Sequence, residues 1–275
     1  MTGLPKATYM YWQKRFDRED PDTELLQLVR DIRKKHKDYG YRRICGEIRK
    51  QGIKVNKKRV QRITQKYGMQ VTSYTRKSRR FSTYKGVMGR ISPNRVNRRF
   101  NTNVPHQKIT TDTTEFKYYE PDEKGKVVIR KLYLDPFMDM WNLEILSYGI
   151  SNHPSSQSIM TAQKEAIAVT NDCRFRRTFH SDRGWAYQMK AYQHELKKNR
   201  IFQSMSRKGN CYDNALMENF FGLMKQEMYY GQVYNSFNEL KEAIDEFIRY
   251  YNEQRGKASL GYRSPVEYRE CMLAA

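Results

Sequence analysis

Between residues 22 and 36, in DTELLQLVRDIRKKH, the apolar side chains Leu25, Leu28, Val29 and Ile32 recur every three or four positions. That period places them on one face of a helix, and Asp22 or Thr23 stands where an N-cap belongs. YRRICGEIRKQG predicts a second helix, with Ile44 and Ile48 four apart and Gly52 as a C-terminal stop. The third, 56-NKKRVQRITQKYG-68, opens on the capping residue Asn56, turns Val60, Ile63 and Tyr67 inward and stops at Gly68. Its outer face is Lys, Arg and Gln. Three short helices with a basic third one have the layout of a helix-turn-helix module, whose last helix could enter a DNA major groove. A small bundle with a solvated charged face fits the same pattern.

Residues 72–105 lose the period and become polar and basic, which predicts a linker or a DNA-tracking arm. Beyond them, KITTDTTEFKYY, KVVIRKLYLDPFMD and LEILSYGIS are β-rich runs separated by Gly, Asp, Pro and Asn, a three-stranded meander. A helix follows over 155–170, with Ile159, Ala162, Ala166 and Val169 on one face; then a strand in RRTFHSD, a helix in AYQMKAYQHELKKN, a strand in RIFQSMS and a long helix from residue 213. The order β-β-β-α-β-α-β-α predicts an α/β fold: a ribonuclease-H-like mixed sheet of five strands flanked by helices, behind a small all-α helix-turn-helix domain. The expected divisions are 1–72 for the helical front, 73–105 for the basic linker, 106–232 for the sheet domain and 233–275 for a C-terminal helix and arm.

Charge sharpens this division. The chain of 275 residues has a net charge of +22, and residues 1–100 hold 28 Lys and Arg against 8 Asp and Glu, leaving the rest almost neutral. A basic front of this kind is the footprint of nucleic-acid binding, because each neutralised phosphate releases counterions; a ribosomal-style tail or a generally basic surface is the plainer reading. Four scattered cysteines, Cys45, Cys173, Cys211 and Cys271, form no C-x-x-C pair and suggest neither a disulfide scaffold nor a zinc knuckle. A reduced cytoplasm fits them, and no apolar run is long enough to span a membrane.

Two acids stand where strands meet loops, Asp112 in ITTDTTEF and Asp182 in RTFHSDRG. Phosphoryl transfer assisted by two metal ions needs carboxylates converging from different elements, since Mg²⁺ prefers oxygen ligands. Taken singly, each acid is as readily a turn residue. A third candidate lies in 206-SRKGNCYDNALMENFFGLMKQE-227. On a wheel of about 100° per residue, Met217, Phe220, Phe221, Met224 and Met228 form the core face, and Asn214, Glu218 and Lys225 form a polar stripe along its margin. Asp213, at the helix front, has the position of an N-cap. From the wheel alone Glu218 reads equally as a solvated acid. His180 and Ser181 flank Asp182, but adjacent residues of one strand face opposite ways and cannot form a Ser-His-Asp relay. Trp185 and Tyr187 read as core aromatics, or as platforms for unpaired bases.

From HSDRGWAYQ through SRKGNCYDNALMENFFGLMKQE to YNEQRGKASLGYRSPVEY, with YGYRRI at the front, the chain closely resembles the OrfB transposases of the IS-three insertion-sequence family, relatives of retroviral integrases. The 35 residues between Asp182 and Glu218 match that family's final spacing. The resemblance implies Asp112, Asp182 and Glu218 as catalytic acids and metal ligands for two Mg²⁺, replaceable by Mn²⁺, and Lys225 as a contact to the element's end. It departs from the family at Ile109, where a Trp is common. It implies double-stranded DNA as substrate, with terminal inverted repeats and a target; Lys57, Lys58, Arg59 and Arg62 of the basic third helix, and Asn214, are the further candidate DNA contacts. Cleavage would free a 3′ hydroxyl that then attacks a second phosphodiester. A homo-oligomer on DNA and an upstream OrfA product, or a frameshift fusion with it, are the expected partners. The competing expectations are a non-catalytic DNA-binding regulator and a nuclease of ribonuclease-H type that cuts without joining.

Overall fold

The computed structural model describes residues 5–16, 21–72, 90–122, 125–208 and 210–274. It divides into two compact units, Met1–Thr75 and Arg76–Ala275. In the first unit, α1 (Lys6–Phe16) precedes α2 (Thr23–Lys35), α3 (Tyr41–Lys50) and α4 (Lys57–Lys66). Sequence periodicity gave no warning of α1, whose apolar residues Tyr9, Met10, Tyr11 and Trp12 run consecutively and are exposed. The other three helices close on Val29, Ile32, Ile44, Ile48, Val60 and Ile63, all buried. In α2 it is Leu26 that is buried, and Leu28 sits at the margin. Tyr67, expected inside, lies exposed at the end of α4 beneath Arg30 and Lys66. Asn56 caps α4 by accepting from the Lys58 N–H at 2.9 Å. Asp22 precedes α2 without capping it; its carboxylate instead accepts from Arg59 Nε and Arg62 of α4, each at 2.6 Å.

The second unit is a sheet with both faces covered. Its strands are β1 (Lys108–Thr111), β2 (Thr114–Pro121), β3 (Val127–Asp139), β4 (Ile145–Ser151), β5 (Thr178–Ser181) and β6 (Phe202–Met205). β3 pairs antiparallel with β4 on one side and with β1 and β2 on the other; β5 joins β1 in parallel and β6 joins β5 in parallel. Sequence reasoning counted five strands. The structure has six because the first is divided at Asp112 and Thr113, although the pairs Thr111–Phe137 and Thr114–Leu134 continue one register. The continued register sets Asp112 opposite Pro136, which has no N–H to give to a ladder.

Strand alternation assigns the faces. Phe116, Tyr118, Leu132, Leu134 and Met138 pack with α7 (Ala215–Met224) and α8 (Phe237–Glu253); Ile109, Phe137 and Phe179 pack with α5 (Ser156–Val169) and α6 (Lys190–Lys198). α7 runs on into a π-helical turn, Lys225–Tyr229. The expected C-terminal arm is in fact a further helix, α9 (Pro265–Leu273), started by a capping box in which Ser264 and Glu267 bond each other's backbone N–H.

The described end of the expected linker is not free. Residues 90–105 lie in the second unit, and the N–H groups of Arg95 and Val96 donate to Ser204 Oγ of β6 at 2.9 and 3.3 Å. Ser92 Oγ donates to Gln203 at 2.7 Å, and Val96 is buried. This covers β6, whose unpaired backbone would otherwise be a sheet edge. Residues 73–89, the rest of that segment, lie outside the described residues.

Candidate active site

β1 and β5 run parallel, so their C-terminal ends meet at one end of the sheet, and Asp112 and Asp182 are the residues that immediately follow them. Asp112 has the parity of Phe116 and Tyr118, the face that α7 covers. One oxygen of each aspartate is held by local backbone: Thr113 N–H donates to Asp112 Oδ1 at 2.9 Å, and Gly184 N–H to Asp182 Oδ1 at 2.7 Å. Glycine at 184 leaves room for this approach. A Cβ there would stand 2.9 Å from that same Oδ1 and 3.3 Å from the Tyr187 ring.

Glu218 lies on the exposed flank of α7. The start of α7 is pinned to β1 by Asn214, whose amide donates to Thr111 O at 3.1 Å and accepts from Thr110 Oγ1. Asn214 is therefore buried and occupied, and the DNA contact expected of it is replaced by a role in docking the helix. Lys225, on the same side, lies with its Nζ 5.3 Å from the centre of the Phe116 ring. Burial lowers its ammonium from the ordinary range, against the attraction of Glu115 and Asp112.

The acids act on one another. Burial first, then repulsion from Asp182 and more weakly from Glu218 and Asp135, holds the Asp112 carboxyl well above the usual carboxylate range, with only the Thr113 N–H opposing. Burial likewise raises Asp182, against the Gly184 N–H, and partial desolvation raises the more exposed Glu218. None of the three forms an ion pair among the described residues. An all-carboxylate donor set, destabilised as free anions, fits a hard divalent cation. The fit is one of chemistry more than of finished geometry: among the described residues no three His, Cys, Asp or Glu close into a metal cage.

Sequence reasoning missed Asp135, an acid inside the buried run of β3 whose pKa burial pushes up to about 6. The signal was present in LYLDPFMD, an aspartate breaking an apolar strand. Tyr187 is a core residue, with its phenol oxygen 3.4 Å from both Thr111 Oγ1 and Thr113 Oγ1, and Trp185 packs partly buried at the edge of the same core.

Asp213 is not a cap. Cys211–Asn214 form a short 3-10 turn, and the Asp213 carboxylate turns back to accept from the Arg207 N–H at 2.9 Å, from the Arg207 guanidinium, from Arg98 Nε at 3.1 Å and from Asn94 at 3.0 Å. The Arg207 hydrogen bond, with help from Arg98, holds it far below the usual range. His180 bonds the Asp213 carbonyl through Nε2 and Ser204 Oγ through Nδ1, both at 2.8 Å, and burial pushes it down to about 4. It joins β5 to β6 and takes no part in a hydrolytic relay. On α4, Lys57 and Lys58 are exposed, whereas Arg59 and Arg62 share Asp22.

Comparison with known proteins places names on this architecture. Residues 102–211 match a model described as "Integrase core domain", residues 218–273 match a second model of the same description, and residues 20–78 match an "HTH-like domain". The putative transposase InsK for insertion sequence element IS150 of Escherichia coli K12 is 36% identical over 97% of this chain and 90% of its own length. Transposase InsF for insertion sequence IS3A of the same organism is 30% identical over 86% of this chain and 78% of its own length. Among solved structures, the HTLV-2 integrase catalytic core domain covers 58% of this chain with 95% of its own, at 17% identity and a TM-score of 0.43. Identity with an insertion-sequence transposase that extends along nearly the whole chain, over both its helical front and its integrase core, makes this protein a member of the IS-three transposase family, polynucleotidyl transferases of DNA transposition.

Proposed function

We propose that Asp112, Asp182 and Glu218 are the catalytic acids of this transposase and hold two Mg²⁺ ions, for which Mn²⁺ can substitute. The observation that carries this reading is geometric: parallel β1 and β5 end side by side, so Asp112 and Asp182 follow them at one end of the sheet. Divalent ions bound there would supply Lewis-acid activation and neutralise charge on the phosphoryl oxygens. The chain itself prepares the site. Thr113 and Gly184 fix one oxygen of each aspartate and leave the other without a partner among the described residues, while α7 carries Glu218 alongside. Lys225, desolvated and steadied over Phe116, would bind the phosphate next to the cleaved bond.

In the first step water attacks a phosphodiester at the element's end; a P–O bond forms, the bond to the 3′ oxygen breaks, and that oxygen gains a proton as the attacking one loses it. In the second, the freed 3′ hydroxyl attacks a target phosphodiester and displaces the target's own 3′ oxygen. No bond to the protein is made.

In this reading residues 1–72 recognise the terminal inverted repeats, with Lys57 and Lys58 on duplex phosphates, residues 106–232 cut and join, and residues 233–275 close the core. The chain works in the bacterial cytoplasm as a homo-oligomer on DNA, together with an upstream OrfA product or fused to it. Incubation of a labelled inverted-repeat end with protein and Mg²⁺ or Mn²⁺ tests the proposal. Cleavage followed by joining is expected, with Asp112→Asn, Asp182→Asn and Glu218→Gln each abolishing both while DNA binding persists. Full activity of Glu218→Gln sinks the assignment; cutting without joining would mark a nuclease, and binding alone a regulator.

A further inference from the structure

We infer that Asp135 is a positioning residue for this site: from the opposite face of the sheet it fixes Thr113, and through Thr113 the carboxylate of Asp112 and the loop that begins with Asp182. The inference rests on the catalytic reading of those two aspartates.

Asp135 lies within β3 at 1% exposure, on the face covered by α5. Both of its oxygens are used. Oδ1 accepts from Thr113 Oγ1 at 2.7 Å and Oδ2 accepts from Ser158 Oγ of α5 at 3.3 Å. The α5 contact is built into the strands, because Gly149 of β4 is the register partner of Asp135. A Cβ at residue 149 would stand 2.3 Å from Ser158 Oγ and 2.7 Å from Ser158 O, so only glycine lets Ser158 come down to the acid.

Thr113 needs such an anchor. It lies in the two-residue gap between β1 and β2, outside the strand pairing that holds its neighbours. Its N–H is the group that orients Asp112 Oδ1. With the Thr113 hydroxyl proton given to Asp135, its oxygen is left to accept from the Tyr187 phenol, 3.4 Å away. Tyr187 belongs to the loop that starts at Asp182 and also packs against Gly184. One donor chain, Tyr187 to Thr113 to Asp135, therefore ties the loop of one aspartate to the strand of the other. A buried acid that no Lys or Arg neutralises among the described residues is an expensive way to fill a core position. Its geometry accounts for it as the acceptor that terminates this chain, since outer partners that orient ligating carboxylates commonly set metal affinity.

The test measures the Mn²⁺ dependence of end cleavage, and separately the rise in Tm on adding Mn²⁺ alone, for Asp135→Ala, Asp135→Asn, Thr113→Val, Thr113→Ser and the double variant Asp135→Ala/Thr113→Val. Asp135→Ala and Thr113→Val should each raise the Mn²⁺ concentration for half-maximal cleavage by roughly 10–100-fold and shrink the Mn²⁺-induced rise in Tm. The double variant should be no worse than either single one. Asp135→Asn and Thr113→Ser, which keep the acceptor and the donor, should restore the Mn²⁺ midpoint. If Asp135→Ala does not fold, Thr113→Val decides the matter. An unchanged midpoint in Thr113→Val, or a lowered Tm in Asp135→Ala with an unchanged midpoint, overturns the inference. Asp112→Asn assayed in parallel separates the two levels: if it still cleaves, the catalytic reading fails, and if it is dead while the Mn²⁺ midpoints stay put, only the role of Asp135 fails.

Discussion

Two groups of acids lie within the same unit, and folding treats them in opposite ways. Around Asp213, Arg207, Arg98 and Asn94 supply donors to both oxygens, and the carboxyl is held far below its ordinary range. At the ends of β1 and β5, Asp112 and Asp182 receive one backbone N–H each, have no ion pair among the described residues and are pushed upward by burial. The first arrangement is complete as it stands and joins residues 94–98 to the front of α7. The second is incomplete by the same measure, and an incomplete set of partly desolvated carboxylates is what a hard cation and a phosphate would complete. A bare count of acids would not distinguish them; their donors do.

Exchanging the two groups' fates is the most severe test of that contrast. Asp112→Asn should leave the fold intact and abolish end cleavage, measured on labelled DNA. Asp213→Asn should keep measurable cleavage but lower the stability to urea by about 1–3 kcal/mol, the usual cost of leaving buried or charged donors short of an acceptor. If Asp213→Asn were catalytically dead at full stability, the division between structural and functional acids would collapse.

A smaller intervention attacks only placement. In Gly184→Ala the new methyl meets Asp182 Oδ1 and the Tyr187 ring, so the aspartate has to move. A displacement of about 1 Å costs on the order of 10²-fold in rate; the shift needed here is smaller, so cleavage should fall by less than that while the circular dichroism spectrum stays unchanged. Cleavage at the unaltered rate would mean that the exact position of Asp182 is unimportant.

The contrast also has a pH signature. Asp135 has a folded pKa of about 6 against an ordinary 3.8, so the folded state holds its proton more tightly than the unfolded chain. Its presence therefore costs stability progressively as pH rises from about 4 to about 6, and the cost persists above that. Asp213 has the opposite sign: its contribution is full above the ordinary carboxylate range and is lost as pH falls through its depressed folded value. Asp135→Asn should thus raise the Tm at pH 7, by up to about 2–3 kcal/mol in stability, and leave it unchanged near pH 3.5. Asp213→Asn should lower the Tm at pH 7, with the deficit narrowing below pH 4. Parallel curves for the two variants would remove the distinction.

Much of this architecture was legible in the chain because periodicity reports burial locally. The succession of strands and helices, the basic third helix and the core face of α7 follow from spacing, and Met217, Phe220, Phe221 and Met224 are all buried. What spacing does not report is the partner. The helical wheel set Asn214 and Glu218 on one margin, but the first is taken up by β1 and the second stays exposed. Asp213 looked like a cap because its partner Asn94 lies 119 residues away. The break between β1 and β2 turns on Pro136, which acts across the strands and not along them. The candidate acids could be named from spacing and resemblance; their electrostatic state and the support from Asp135 depend on contacts between elements.

Asp22 extends the comparison to the helical unit and gives the smallest expected effect. Like Asp213 it is a buried carboxylate shared by two arginines, and the Arg59 hydrogen bond, with Arg62, holds it below the ordinary range. Their side chains are 44% and 68% exposed, comparable to Arg207 at 53%, but unlike Arg207 these arginines stand on the basic helix proposed to meet DNA. The carboxylate and a phosphate would then compete for the same guanidinium groups. Exposed pairs of this kind contribute only about 0.2–1 kcal/mol, so Asp22→Asn should cost little stability. It should steepen the dependence of log affinity on log salt, by up to about 0.9 for each arginine that passes to a phosphate, in a duplex-binding titration between low and physiological salt. An unchanged slope would class Asp22 with Asp213 as a purely structural acid and leave Lys57 and Lys58 as the contacts of that helix.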